Sequence, residues 1–163
     1  MIAVEGLHKY ISPSLMAPVI PALYRYGGTY VKHCRKYMYI AKRLIRELPE
    51  FVDLSEAGVR IAYLSSQKEK VKNHKVIFAE CCKVEDKYSW CCRYDFFIVI
   101  YEPNIIDFSE EQLEILIRHE LHHIGIDYTD SGLKYYVVPH DVEEFWEIIN
   151  EFGLEWSEVN AKR

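Results

Sequence analysis

Two histidines and a glutamate in this 163-residue chain have the spacing of a metal-binding helix. Residues 119–123 read H-E-L-H-H, and on an α-helix side chains four residues apart lie on the same face. His119 and His123 can therefore offer two imidazole nitrogens to one metal ion, while Glu120 can reach a water molecule bound to that ion. The H-E-x-x-H pattern is typical of zinc-dependent hydrolases.

A catalytic zinc site needs a third protein ligand and an open position for water. His140 is the best candidate, because Pro139 has a fixed φ and a rigid helix start is expected at Asp141. These two neighbours would hold the imidazole in place. A carboxylate from the following helix is the alternative, and the sequence offers Glu143, Glu144 and Glu147.

The helix that carries the first two histidines has recognisable ends. Ser109 and Gln112 predict a capping box at its start, and Gly125 is expected to mark its end. Its apolar residues fall on one buried face, which consists of Leu113, Leu116, Ile117, Leu121 and Ile124.

The histidines occupy different sides of this helix. His119 and His123 flank the buried face, so they lie at the border between core and cleft. Glu120 lies between them and the apolar centre, where desolvation would raise the pKa of its carboxyl group. His122 faces water and is predicted to be a bystander.

The rest of the chain predicts an α+β domain, in which this helix packs on a small sheet of three to four strands. Residues 29–48 predict an N-terminal helix that ends before Pro49, and Asp141 to about Phe152 predicts a C-terminal helix. The predicted strands are 59–64, 75–82, 95–101 and a short one at 135–138, of which 95–101 is the most apolar and the candidate for a central strand.

Composition indicates one domain over residues 29–163, preceded by an irregular segment at 1–28 that holds three prolines and a glycine pair. No apolar run approaches the roughly 20 residues that cross a bilayer, so no membrane partner is expected. Five cysteines without an export signal indicate reduced thiols in a cytosol. They are interpreted as small buried hydrophobes, because structural zinc sites favour C-x₂₋₄-C spacing over adjacent cysteines.

The net charge of -5 hides an asymmetry, since residues 1–100 are basic on balance and residues 101–163 are strongly acidic. Much of the positive charge falls on one side of the predicted helix 29–48. A solvated face explains such a stripe, and the alternative is a surface for nucleic acid or an acidic partner.

The chain resembles the phage metallopeptidases, small proteins that phages and prophages encode. The matching words recur in order between residues 48 and 157: PEFVDL, VRIAYL, ECCKV, YDFFI, YEPN, HELHHIG and PHDV. The resemblance implies a zincin-like domain with some likeness to SprT-type peptidases, in the cytoplasm of a bacterial host cell. It also implies His119, His123 and His140 as the metal ligands, with Glu120 as general base.

The sequence thus predicts a zinc-dependent metallopeptidase that acts on a protein or peptide. A water activated by Zn²⁺ would attack the peptide carbonyl, and Glu120 would take the proton and deliver it to the leaving amine. The alternative is a non-catalytic zinc-binding phage protein that binds a host protein or nucleic acid. In that case the ion would be structural and the basic helix at 29–48 would be the working surface.

Overall fold

A computed structural model describes residues 23–26, 29–141 and 145–153 of the chain. Helices and sheets are mixed within one small domain, which confirms the predicted α+β class. Within the described residues no helix has the length and apolar character needed to span a membrane. The helices are α1 (Arg35–Glu47), α2 (Val52–Glu56), α3 (Glu110–His122) and α4 (Trp146–Phe152). The strands are β1 (Leu23–Tyr26), β2 (Thr29–His33), β3 (Ile61–Ser66), β4 (Val71–Lys72), β5 (Lys75–Val76), β6 (Ala79–Lys83), β7 (Phe96–Tyr101), β8 (Ile124–Thr129) and β9 (Gly132–Val137).

The main sheet has the strand order β1-β2-β3-β7-β6. Strands β3 and β7 run parallel, with Ile61 opposite Phe96, and the other neighbouring pairs are antiparallel. Strand β7 therefore lies inside the sheet, as expected for the most apolar run of the chain, and β6 forms an edge. The sheet has more strands than the predicted three to four, because β1 and β2 extend it.

The predicted N-terminal helix 29–48 is wrong in its first turn. Residues Thr29–His33 form strand β2, which pairs with β3, and the helix begins only at Arg35. The reason is long-range pairing, since Thr, Tyr and Val at 29–31 favour strands and β3 supplies a partner edge. Strand β1 lies in the segment 1–28 that was expected to be irregular. Residues 1–22 and 27–28 lie outside the described residues.

The main core lies between the sheet and the helices α1 and α3. Side chains of α1 (Tyr37, Ala41, Leu44) and α3 (Leu113, Ile117, Leu121) meet Phe96, Ile98 and Ile100 of β7 in one buried cluster. Every one of the predicted apolar positions of α3 belongs to this cluster or packs against it. The packing fixes how α3 is rotated about its axis, and so decides where its polar residues point.

The end of α3 differs from the prediction. The capping box of Ser109 and Gln112 is present at its start, but the helix ends at His122 rather than at Gly125. Residues Ile124–Thr129 form strand β8, which pairs with β9 in a hairpin, where only a short strand at 135–138 was predicted. The alternation of apolar side chains in both strands favours this hairpin once the core offers a surface to cover. The prediction that the last helix begins at Asp141 is wrong, because helix α4 begins at Trp146 with Phe145 in extended conformation before it. Residues 142–144 lie outside the described part.

Candidate metal centre

Three histidines from two elements converge at the end of α3. His119 lies in its last turn, His123 is its C-cap residue, and His140 follows strand β9. The Nε2 atom of His119 lies 3.3 Å from Nε2 of His123 and 3.0 Å from Nε2 of His140. All three potential ligand atoms lie within 4.8 Å of one another. The structure therefore brings together the three residues that the sequence singled out.

These distances suit a small divalent ion. Tetrahedral zinc with Zn–N bonds of about 2.0–2.1 Å separates its ligand nitrogens by roughly 3.3–3.4 Å. Imidazole ligands suit zinc and the later transition metals, whereas magnesium and calcium prefer oxygen ligands. The donor set fits a transition-metal ion, and the two distances from His119 lie close to this spacing.

The backbone of Val138 orients His123. Nδ1 of the His123 ring lies 2.6 Å from the carbonyl oxygen of Val138, and the Val138 N–H donates to the His123 carbonyl at 2.8 Å. A carbonyl can only accept, so Nδ1 must carry the proton and Nε2 is left with a free lone pair. This bond sets the tautomer that a metal ligand needs. Nothing in the sequence marks a main-chain carbonyl for this role.

Glu120, which follows His119 in α3, carries a buried carboxyl group. It is 4% exposed, and its Oε2 atom has no hydrogen-bond partner within the described residues. Its pKa is raised to about 7, mainly by burial and then by the nearby Glu80 carboxylate, while a hydrogen bond from the Cys81 N–H opposes both. The expected desolvation of Glu120 is therefore present. The roles of Cys81 and Glu80 could not be read from the sequence, because both come from strand β6, far along the chain.

The pKa of His119 is lowered, mainly by burial and then by the neighbouring His123 and His140. A lowered pKa keeps the imidazole neutral near pH 7, and only the neutral ring can bind a metal. His122 lies apart from this group, as predicted. Its ring packs on Phe51, with centroids 4.9 Å apart, and its side chain remains exposed.

The alternative ligands do not join the centre where the structure describes them. Glu147 is exposed on α4 and is not part of the histidine group, while Glu143 and Glu144 lie outside the described residues. All five cysteines are free thiols, and no metal-holding group in the described ranges includes one of them. The prediction that they are buried is wrong, since Cys91 is exposed and the other four are partly exposed.

The basic side of α1 is partly neutralised. Lys36 lies 3.7 Å from Glu110, and Arg43 forms an ion pair with Glu114, so two of its cations face carboxylates of α3. Arg46 pairs with its own neighbour Glu47 at 2.9 Å. The charge that the sequence assigned to an open surface is thus used in part to hold α1 beside α3.

Comparison with known proteins gives one family. The family model described as "Putative phage metallopeptidase" matches residues 29–162, which is most of the chain and includes all of the histidine group. No curated protein and no solved structure gives a significant match.

Proposed function

The chain belongs to the phage metallopeptidase family, and we propose that it is a zinc-dependent peptidase whose ion is held by His119, His123 and His140. The observation that carries the proposal is a buried carboxyl oxygen of Glu120 that has no hydrogen-bond partner within the described residues, in the residue that follows His119, one of three converging imidazoles. A buried carboxyl oxygen without a hydrogen-bond partner is costly, so such atoms are rare away from functional sites. The position of Glu120 in the same helical turn as two of the histidines supports a role in proton transfer.

The ion, when bound, would polarise the scissile carbonyl and lower the pKa of the attacking water. Glu120 would accept a proton from that water at Oε2, the oxygen that makes no other hydrogen bond in the described chain. A pKa of about 7 suits both halves of the task, because the same group must take the proton and then give it to the leaving amine.

Strand β6 would hold the substrate. The Val84 N–H donates to the Asp95 carbonyl, and the Tyr101 N–H donates to the Phe78 carbonyl. Main-chain groups alternate in direction along a strand, so the even-numbered residues between 78 and 84 bond to β7. The odd-numbered ones therefore direct their main-chain groups away from β7, to the outer edge of the sheet. An extended peptide can add to such an edge through main-chain hydrogen bonds. Because the Cys81 N–H already contacts Glu120, a peptide on this edge would pass directly beside the base.

The non-catalytic alternative receives no support from the described residues. A structural zinc site is normally closed by a fourth protein ligand, and the histidine group has only three members in the part of the chain that the structure describes. The nucleic-acid version relies on the basic residues of α1, two of which are paired with α3.

The proposal is tested by metal content and peptide hydrolysis on the same samples. We expect Glu120→Gln to keep the ion and lose turnover, and His123→Ala to lose both. His122→Ala is the matched control, because this histidine lies on the same helix but outside the group; it should keep both properties. Hydrolysis of an unstructured protein such as casein, resolved by mass spectrometry, gives the readout. Full activity in Glu120→Gln would refute the general-base role.

A further inference from the structure

The position of His140, the third histidine, is not fixed by packing in the main core. His140 is exposed and lies three residues beyond the end of β9, so the main core does not hold it. We propose that Gly125 and Tyr136 are positioning residues, which seat strand β9 on β8 so that His140 reaches the metal centre. The inference rests on the proposed metal site and adds the means by which its third ligand is placed.

The first observation is a close approach between the two strands. Gly125 and Tyr136 are directly opposite each other in the hairpin. A Cβ atom on Gly125 would lie 2.4 Å from Cε2, 2.5 Å from Cζ and 2.8 Å from Cδ2 of the Tyr136 ring. One edge of the ring therefore lies against the main chain of β8, in the space that any side chain at 125 would occupy. Any side chain at 125 would therefore force the Tyr136 ring to leave this position.

The second observation links this contact to the ligand. Two residues after Tyr136, the N–H and the carbonyl of Val138 both bond to His123, at 2.8 and 2.6 Å. Pro139 then restricts φ immediately before His140. The chain from Tyr136 to His140 is thus constrained at Val138 and Pro139. A shift of β9 would therefore move both His140 and the Val138 carbonyl that orients His123.

The two faces of the hairpin make different contacts. On one face Ile124, Ile126 and Tyr135 join the core, and the Tyr135 ring packs on Phe96 with centroids 5.8 Å apart. That packing attaches the hairpin to the domain. Gly125 and Tyr136 lie on the opposite face, where Tyr136 remains 40% exposed. Its contact with Gly125 is therefore separate from the packing of the hairpin on the core.

Cobalt(II) tests the inference in the full-length protein, because its visible absorption reports the number and geometry of its ligands without any need for activity. Affinity is measured by competition with a chromophoric chelator. We expect Gly125→Ala and Tyr136→Ala each to weaken cobalt binding by roughly tenfold to a hundredfold, the range for groups that orient metal ligands, and to change the absorption bands. Tyr136→Phe keeps the ring and should retain wild-type binding.

Two further variants separate positioning from general damage. Tyr128→Ala is the matched control, because Tyr128 is a tyrosine of the same hairpin, 64% exposed, on the other face; it should bind cobalt as the wild type does. The double variant Gly125→Ala/Tyr136→Ala should bind no more weakly than Gly125→Ala alone, since the ring that clashes is gone. Thermal unfolding of the metal-free proteins shows whether each variant folds.

The outcomes are distinct. Folded Tyr136→Ala protein with wild-type affinity and absorption bands would overturn the inference while leaving the metal site intact, even if Gly125→Ala did not fold. Equal losses in Tyr128→Ala and Tyr136→Ala would also overturn it. Wild-type protein that binds no cobalt would overturn the proposed metal site, and this inference with it.

Discussion

Replacing Glu120 with glutamine should change the pH dependence of stability and also lower the turnover rate, and the two effects can be measured separately. Glutamine has nearly the same shape and can still accept the hydrogen bond from the Cys81 N–H, but it cannot ionise. In the metal-free protein the wild-type carboxyl must either stay protonated or bear a poorly solvated charge. The variant has neither constraint, so the stabilities of the two proteins should respond differently to pH.

The size of the difference follows from the pKa of Glu120, which rises from 4.5 in the unfolded chain to about 7 in the folded one. The folded chain holds this proton more tightly, so stability is highest below the unfolded value and falls as the pH rises through the folded one. Between pH 5 and pH 8 the wild type should lose about 2–3 kcal/mol relative to Glu120→Gln. Any fixed cost of the buried amide cancels in this comparison.

Urea unfolding of both metal-free proteins at several pH values between 5 and 8 gives the comparison directly. We expect the free-energy difference between variant and wild type to move steadily in favour of the variant as the pH rises. A difference independent of pH would refute the reasoning, because it would show that the folded chain does not perturb this carboxyl. In the metal-loaded proteins the same substitution should lower turnover by about 10²–10⁴-fold, the usual contribution of general acid–base catalysis.

Further predictions concern the metal and the helix that carries it. His140→Ala should weaken zinc binding measured by chelator competition, whereas His122→Ala should not; equal affinities in the two variants would remove His140 from the centre. Ser109→Ala should destabilise the protein by about 1 kcal/mol in urea unfolding, because it removes the cap at the start of α3, and an unchanged midpoint would contradict this. Ile117→Ala, at a fully buried position, should cost about 2–5 kcal/mol by the same measurement, and a cost under about 1 kcal/mol would show that α3 is not packed as described.

The local parts of the site could be predicted from the sequence. Spacing along one helix determines that His119 and His123 share a face, and the capping box gives the start of that helix. The same periodicity locates Glu120 at the edge of the core. These relations depend on neighbours within a few residues, so no knowledge of the tertiary fold is required.

The remaining parts depend on contacts between distant segments. Residues 29–33 form a strand because β3 pairs with them, although their apolar pattern also suits a helix. The hydrogen bond from Cys81 to Glu120 requires that strand β6 lie beside α3, and the bond from His123 to Val138 requires the hairpin. The main chain of Cys81 and of Val138 makes these two contacts, and residue types do not predict the contacts of main-chain groups. The Gly125 contact is the exception, since a glycine just after the motif was visible but was interpreted as a helix end.

The ligand list of the bound metal tests the central claim most directly. X-ray absorption on the zinc-loaded wild type and His140→Ala, followed by a crystal structure of the loaded protein, would count the imidazoles. The account predicts three, from His119, His123 and His140, with a fourth position that no protein side chain fills. A site closed by a fourth side chain, or one in which residue 140 stays away from the ion, would contradict it.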